Sequence, residues 1–490
     1  MPIFRLTRAL SPAEDITLSK VVWPSSVAVG IMAVLSIAAC GGSHTSFAPN
    51  SKLGVKVRAL NPPPQLPGSN PGLHPFQVFD GGISSPNPIA SKYGAVWGSN
   101  AIPKPSEWAA GHPNMLVGYY LPMGLEANPG SFGNLGHNLA WWQTSSGHPD
   151  WIMWQCDGNT LARRQGLQNV PLHMSAAMFD FLWNDQTGTA ARTGIHTYMK
   201  TNGYNSLDLD IVSFNNDGLA CGTWADGIGH NLSTYHGSDV WTTVYDPSHF
   251  QKNDVPYVAD TKAYITEAQV QAHSVFSPVM DTVANIPVED KSPPPDLNAD
   301  KDITYLVDHI DVLNLEQGFT QMGKAGSGSW PSETQFANTA GWSQYIQNHD
   351  GGAVLLLNSF DETSGGLTAP QIEWSLATYE LINEGEADIW TAVTGGYGSE
   401  SYLPEYSATF GDPCWDYKPS PSSSHVHYRV FKKGVAIVNN GAMVNVKFAA
   451  DFGLTVANYT DIEGQPLTDQ FLMPAHTAIL AYSGTAITCP

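Results

Sequence analysis

Apolar and polar residues alternate most sharply in the segment Gly203 to Gly218, GYNSLDLDIVSFNNDG. At a period of two, Leu207, Leu209 and Ile211 fall on one side of a strand and Asp208, Asp210 and Val212 on the other. Seven further short runs, at 76–80, 93–98, 115–121, 278–285, 310–316, 353–358 and 388–393, are strand-like, with 206–213 fourth in order. Between them the spacing turns helical at 185–201, 261–272, 334–348 and 370–384, the last with Pro370 near a helix start. Strands alternating with helices pair in parallel through crossovers, so eight such units predict an α/β fold, a (β/α)8 TIM barrel.

After Pro413 the pattern changes. A Ser/Pro-rich stretch at 419–424 leads into short alternating runs at 426–431, 435–439, 444–448, 455–460 and 477–482, separated by turn residues. They predict a small C-terminal antiparallel β-sandwich. At the other end, Arg5, Arg8 and Lys20 precede an apolar run over 21–39 that closes in Ile37-Ala38-Ala39-Cys40 before two glycines. This resembles a bacterial lipoprotein signal, with Cys40 as the lipidated first residue after cleavage. A transmembrane helix is the alternative, but Pro24 and two serines interrupt the run. The expected organisation is a signal peptide at 1–39, a Pro/Ser/Asn/Gly-rich tether at 40–74, a catalytic barrel at 75–412 and the sandwich at 413–490. Such a protein is exported, either to the bacterial cell envelope or beyond it. It meets a membrane through a lipid anchor only, and a monomer is expected.

Composition narrows the partners. With 44 acidic against 22 basic residues the net charge is −22, which argues against nucleic acid binding through a basic face and leaves neutral glycans compatible. Export makes the cysteines readable as disulfides: beyond Cys40 there remain Cys156, Cys221, Cys414 and Cys489, which allow three pairings. Cys156 with Cys221 is favoured because both lie in loops flanking the alternating strand, and Cys414 with Cys489 because they join the ends of the last domain. Free buried thiols are the alternative.

The chemistry gathers at two strand ends. Carboxylates on an apolar strand are costly to bury unless paired or used. Asp210 ends the fourth strand and opens onto a polar loop, where barrel enzymes keep their catalytic groups. The sixth run, HIDVLNLEQGF, likewise finishes in an acid, Glu316, followed by Gln317 and Gly318. Two such carboxylates can flank a glycosidic bond; a separation of ~5–5.5 Å gives retention of configuration and ~6.5–9.5 Å inversion. Retention is the expected outcome.

Gly203-Tyr204, the run 207–212, the run 313–319 and Phe410-Gly411-Asp412-Pro413 resemble glycoside hydrolases of bacterial surface lipoproteins, related to endo-α-1,4-polygalactosaminidase-like and α-galactosidase-like barrels. The resemblance spans most of 75–485. It implies Asp210 as the nucleophile on strand four and Glu316 as the acid/base on strand six. Where the family often has Asp-Gly after Gly-Tyr, this chain has Asn205-Ser206. Asp180, just before an expected helix, resembles an acid that the family places near its sugar pocket.

Other candidate substrate contacts come from the residues themselves. Tyr119 and Tyr120 end the third strand. Trp154, with Trp141, Trp142 and Trp151, crowds the connection to the fourth strand and offers apolar faces to sugars. Asn285, Asn358 and Asp361 lie at strand ends, and Asp208 would orient substrate, tune Asp210, or sit in a buried ion pair. No cofactor is expected and no metal. The run Asp296 to Asp302 spaces its oxygens as a calcium loop does, but Lys301 replaces the turn glycine and Val307 the bidentate acid, so it reads as a solvated turn. There is no Gly-x-Ser-x-Gly elbow for a serine hydrolase. A glycoside hydrolase acting on a polysaccharide or oligosaccharide is the reading; the alternative is a glycan-binding surface lipoprotein that keeps the barrel without catalysis.

Overall fold

The computed structural model describes residues 74–490 apart from 100–103, 124, 127–138, 145–146, 163–169, 185–193, 211, 217–218, 246–253, 276–280, 297, 321–329, 350–351, 359–367, 392–396, 463 and 490. Cys40, the expected signal, all but the last tether residue, and Asp361 lie outside the described residues. No helix among the described residues is long and apolar enough to cross a membrane.

Eight parallel strands form one sheet in chain order: β1 Phe76–Val78, β2 Ala95–Trp97, β3 Leu116–Pro122, β4 Ser206–Asp210, β5 Asp281–Ile286, β6 Val312–Leu315, β7 Ala353–Asn358 and β8 Ala387–Thr391. The sheet closes on itself where Pro75 bridges Ile389 in parallel and the Ile389 amide donates to His74 O at 2.7 Å. This is the expected (β/α)8 barrel, and each of the eight strand-like runs supplies one stave.

Alternation decides what fills the barrel and what covers it. Phe76, Val78, Trp97, Tyr120, Val312, Leu355, Leu357 and Trp390 pack together inside. Leu207, Leu209, Leu313, Leu315, Val354 and Leu356 pack outward into the larger core shared with the helices. Asp208 is registered beside Tyr120 and shares its inward face, so the two aspartates of β4 point into the barrel.

The covering helices include α1 Lys104–Gly111, α2 Ala176–Asn184, α3 Gly194–Asn202, α4 Val255–Val275, α5 Lys301–His309, α6 Glu333–Asn348 and α7 Ala369–Ile382. The turn read at 296–302 is present over its first part, with the Ala299 amide donating to Asp296 O at 3.0 Å, and helix α5 takes in only its last two residues, Lys301 and Asp302. The Asp300 carboxylate caps it, accepting from the amides of Asp302 at 2.9 Å and Ile303 at 3.0 Å. Its buried stripe of Ile303, Leu306 and Val307 faces the core.

Past the barrel, β9 Lys418–Ser420, β10 Ser423–Phe431, β11 Gly434–Asn439, β12 Val444–Lys447, β13 Tyr459–Thr460, β14 Gln470–Met473 and β15 Thr477–Ser483 form two antiparallel sheets. The larger has the order β9-β10-β11-β15-β13; the smaller pairs β12 with β14. One face of the larger sheet, with Val426, Tyr428, Val430 and Ile437, closes over Val446, Phe448 and Phe452. Its other face, with Ala436, Val438, Ala478 and Leu480, joins the barrel's helical core against α7.

Arg429 fastens the two parts. Its guanidinium is buried at the C-terminus of α7, where Nη1 donates to Asn383 O at 2.6 Å and to Glu380 O and Leu381 O at 3.3 Å. Its Nη2 donates to Glu384 Oε1 at 2.9 Å and its Nε to Trp415 O at 3.0 Å. A fixed cation thereby satisfies carbonyls that a helix end leaves without partners. Disulfides join Cys156 to Cys221 and Cys414 to Cys489, the favoured pairing.

Candidate active site

The site is built from the C-terminal ends of four neighbouring strands. Asp210 is the last residue of β4, Asn285 is the last but one of β5, Glu316 follows β6 directly, and Tyr120 lies in β3. Asn285 and Asn314 are registered side by side on β5 and β6. The backbones of β4 and β6 are therefore two strand spacings apart, about 10 Å, with the Asn285 amide between them.

Asp210 is 4% exposed, and both of its oxygens are held. Oδ2 accepts from the Tyr120 hydroxyl, and Oδ1 accepts from Asn285 Nδ2 at 3.0 Å. Two neutral donors on opposite oxygens fix the plane of the carboxylate. The Tyr120 ring is itself held edge-on by Trp97 and Phe79, with centroids at 5.3 Å and 5.5 Å. Among the described residues no ion pair to Asp210 occurs within 4.0 Å.

Glu316 is 2% exposed. Its amide donates to Asn314 O of its own strand at 3.1 Å and to Ile286 O at the end of β5 at 3.2 Å. The two residues that follow, Gln317 at φ 75° and Gly318 at φ 50°, are left-handed in succession. A non-glycine residue in that region costs energy and persists where surrounding contacts over-determine it.

Asp208 lies one inward step below Asp210 and does not face the mouth. Oδ1 accepts from Ser206 Oγ and Oδ2 from the Gly98 amide, each at 2.8 Å. Burial pushes its carboxyl up to about 7, against the opposing pull of those two hydrogen bonds. Gly118 on β3 makes room for it, since a Cβ there would lie 1.6 Å from Oδ2. Among the described residues no ion pair with an arginine occurs, and the acid is buried beneath Asp210.

The remaining sequence candidates scatter. Asn285 serves Asp210. Asn358, read as a hydroxyl-binding residue, turns away from the barrel axis: Oδ1 accepts from Phe319 N at 2.8 Å, and Nδ2 donates to Thr378 Oγ1 at 3.1 Å and Ser375 O at 3.3 Å. Tyr119 points outward between Tyr204 and Tyr198, at 5.3 Å and 5.8 Å, because its neighbour Tyr120 takes the inward face. Asp180 lies within α2 and not ahead of a helix; it is exposed on the barrel's outside, accepting from Asn184 at 2.8 Å and Gln271 at 2.9 Å. Trp154 is buried with its backbone bridged to Leu161 and Gly222, a core position more than a platform. Asn314 was not singled out, yet alternation from Glu316 places it inward and its register places it beside Asn285.

The Cys156–Cys221 disulfide links the connections that leave β3 and β4, so the walls on this side of the mouth move as one. In the same region Asp226, His230 and Asp239 bring ligand atoms within 4.8 Å of one another. They are already joined, His230 Nε2 to Asp226 Oδ2 at 2.9 Å, and neither Asp210 nor Glu316 belongs to the group.

No family model and no curated protein matches the chain. Among solved structures, the chain is similar to a cyclic α-maltosyl-(1→6)-maltose hydrolase from Arthrobacter globiformis in complex with maltose, with 11% identity, 77% of each chain covered and a TM-score of 0.34. An AmyP variant in complex with maltotriose has 8% identity over 79% of each chain, with a TM-score of 0.34. A Paenibacillus polymyxa xyloglucanase of glycoside hydrolase family 44 has 9% identity, covering 68% of this chain and 96% of its own, with a TM-score of 0.29.

Proposed function

We propose that the chain is a glycoside hydrolase that cleaves an α-linked polysaccharide or oligosaccharide with retention of configuration, Asp210 acting as nucleophile and Glu316 as acid/base. The observation that carries the reading is the bracing of Asp210. A carboxylate inside a barrel, ending a strand and held on both oxygens by Tyr120 and Asn285, is fixed in orientation without being neutralised by a cation. That is what attack on an anomeric carbon requires.

In the first step a bond forms between Asp210 and the anomeric carbon as the glycosidic C–O bond breaks, and the Glu316 proton passes to the departing oxygen. In the second, Glu316 takes a proton from water, whose oxygen replaces Asp210 at the same carbon. Tyr120 and Asn285 hold the aspartate before attack and receive it on release. The resemblance to polygalactosaminidase-like and α-galactosidase-like barrels supports an α-linked galactoside or galactosaminide, and a net charge of −22 favours neutral or amino-sugar polymers over polyanions. The lipobox-like segment ending at Cys40 supports export and lipid anchorage at the cell envelope.

Hydrolysis of a panel of α-linked galactans, galactosaminans and glucans, followed by release of reducing ends, tests the reading. Asp210→Asn and Glu316→Gln should each lower turnover of a cleaved substrate by about 100-fold or more. Unchanged turnover in both variants refutes it, and glycan binding without turnover by the unaltered protein favours a binding protein. Proton NMR of the first-formed anomer decides retention against inversion.

A further inference from the structure

We propose that Asn358 is the positioning residue for Glu316: its buried side-chain amide is a strut that holds the left-handed turn on which the acid/base is mounted. The inference rests on the reading of Glu316 given above.

The turn is bonded within itself, the Thr320 amide donating to Gln317 O at 2.8 Å, and is also held from outside. Gln317 and Gly318 both have positive φ, and the Gly318 amide bends back to donate to Glu316 O at 2.9 Å. The next amide, that of Phe319, leaves the turn and donates to Asn358 Oδ1. Asn358 is wholly buried, and its Nδ2 is committed to Thr378 and Ser375 on α7. One side chain thus connects a helix of the outer layer, the end of β7 and the backbone three residues beyond Glu316. The fit is close: a Cβ on Gly318 would lie 2.3 Å from Asn358 Oδ1 and 3.0 Å from Leu357 O, so the turn rests flat on the end of β7. Thr339 Oγ1 reaches Gly318 O at 3.4 Å, and Phe319 packs on Phe336 at 4.7 Å, which closes the turn from α6.

A space-filling role and a positioning role make different demands. Leucine would fill the same volume but would leave the Phe319 N–H buried without an acceptor, releasing the turn. Aspartate keeps the acceptor for Phe319.

The experiment compares full-length protein with Asn358→Leu, Asn358→Asp and Glu316→Gln. Amide hydrogen exchange is read at Phe319 and, as the control for an intact barrel, at 282–286. Kinetics are read on two aryl glycosides of a sugar that the protein hydrolyses, one with a 2,4-dinitrophenyl and one with a 4-methoxyphenyl leaving group. A poor leaving group needs the proton from Glu316 and a good one does not. Asn358→Leu is expected to exchange Phe319 about 100-fold faster with 282–286 unchanged, and to lose about 100-fold in kcat/KM on the methoxyphenyl glycoside but only about threefold on the dinitrophenyl one. Asn358→Asp is expected to restore both readouts to within about threefold. Equal losses on both substrates in Asn358→Leu, where Glu316→Gln discriminates between them, overturn the positioning role alone; so does unchanged exchange at Phe319. Failure of Glu316→Gln to discriminate overturns the acid/base reading, and the inference falls with it.

Discussion

Replacing Asp208 by asparagine tests the interior of the barrel without touching its mouth. The carboxyl is 1% exposed and, among the described residues, receives hydrogen bonds from Ser206 and Gly98, and burial raises it from about 3.8 to about 7. A raised carboxyl is protonated in the folded state where the unfolded chain has already released its proton. Between pH ~4 and ~7 the folded state therefore binds the extra proton, and stability falls as pH rises through that window. The rise spans roughly three pKa units, so at ~1.4 kcal/mol per unit the full penalty is about 4 kcal/mol above pH ~7. Asparagine is shaped like the protonated acid: its oxygen can accept from Gly98 while its nitrogen donates to Ser206 Oγ. Asp208→Asn should thus match the unaltered protein at pH 4 and exceed it by up to about 4 kcal/mol at pH 8. For roughly 400 cooperatively unfolding residues at ~2.1 cal/mol/K each, that is about 5 °C in Tm. Thermal and urea unfolding at half-unit pH intervals give the difference directly. Curves for the two proteins that stay parallel across the range would refute the reasoning, because they would mean that Asp208 is ionised in the fold at every pH examined.

Tyr120→Phe keeps the ring between Trp97 and Phe79 but removes the donor to Asp210; a hydrogen bond to a charged group is worth about 1.5–3 kcal/mol, so calorimetry should show Tm lower by roughly 2–4 °C, and steady-state turnover should fall as the carboxylate loses its fixed plane. Arg429→Met strips the carbonyls of Glu380, Leu381 and Asn383 and leaves Glu384 without its cation, and calorimetry should show a loss of about 3–5 kcal/mol. Glu333 on α6 is worked upward by burial, but its bonds to His427, Asn440 and His425 outweigh this and hold it below the ordinary carboxylate value. Its contribution is therefore full above that ordinary value and lost as pH falls through the lowered one, so Glu333→Gln should flatten the acid limb of the stability profile.

The barrel was legible because each of its strands carries its own evidence: an apolar run, continuous or alternating, with glycine or polar punctuation near its end. Helix α5 was harder because Asp296, Asn298, Asp300 and Asp302 read as a turn, although Ile303, Leu306, Val307 and Ile310 already carried the helical spacing that Asp300 starts. At the site, parity was the neglected signal. Of Tyr119 and Tyr120 one must face in and the other out; Ala353, Leu355 and Leu357 face in, so Asn358 at the next position faces out. Which inward groups meet was beyond the sequence. The contact of Tyr120 with Asp210, and not with Asp208 opposite it, depends on strand register and on the length of a phenol, and neither is written in either strand alone.

Helix α7 also sets an order of events. Residues 374–382 are buried without a break, and part of what buries them is the sheet that ends with β15. The last residue of that sheet follows the end of the helix by about 100 residues, which a ribosome adds in roughly 5–20 s. For that interval a nascent barrel holds a finished apolar helix with one side wet, its final carbonyls waiting for Arg429 over the first half. The barrel and the C-terminal sheets must then mature together, and any machinery that handles the growing chain has to shield that helix until the last strand arrives.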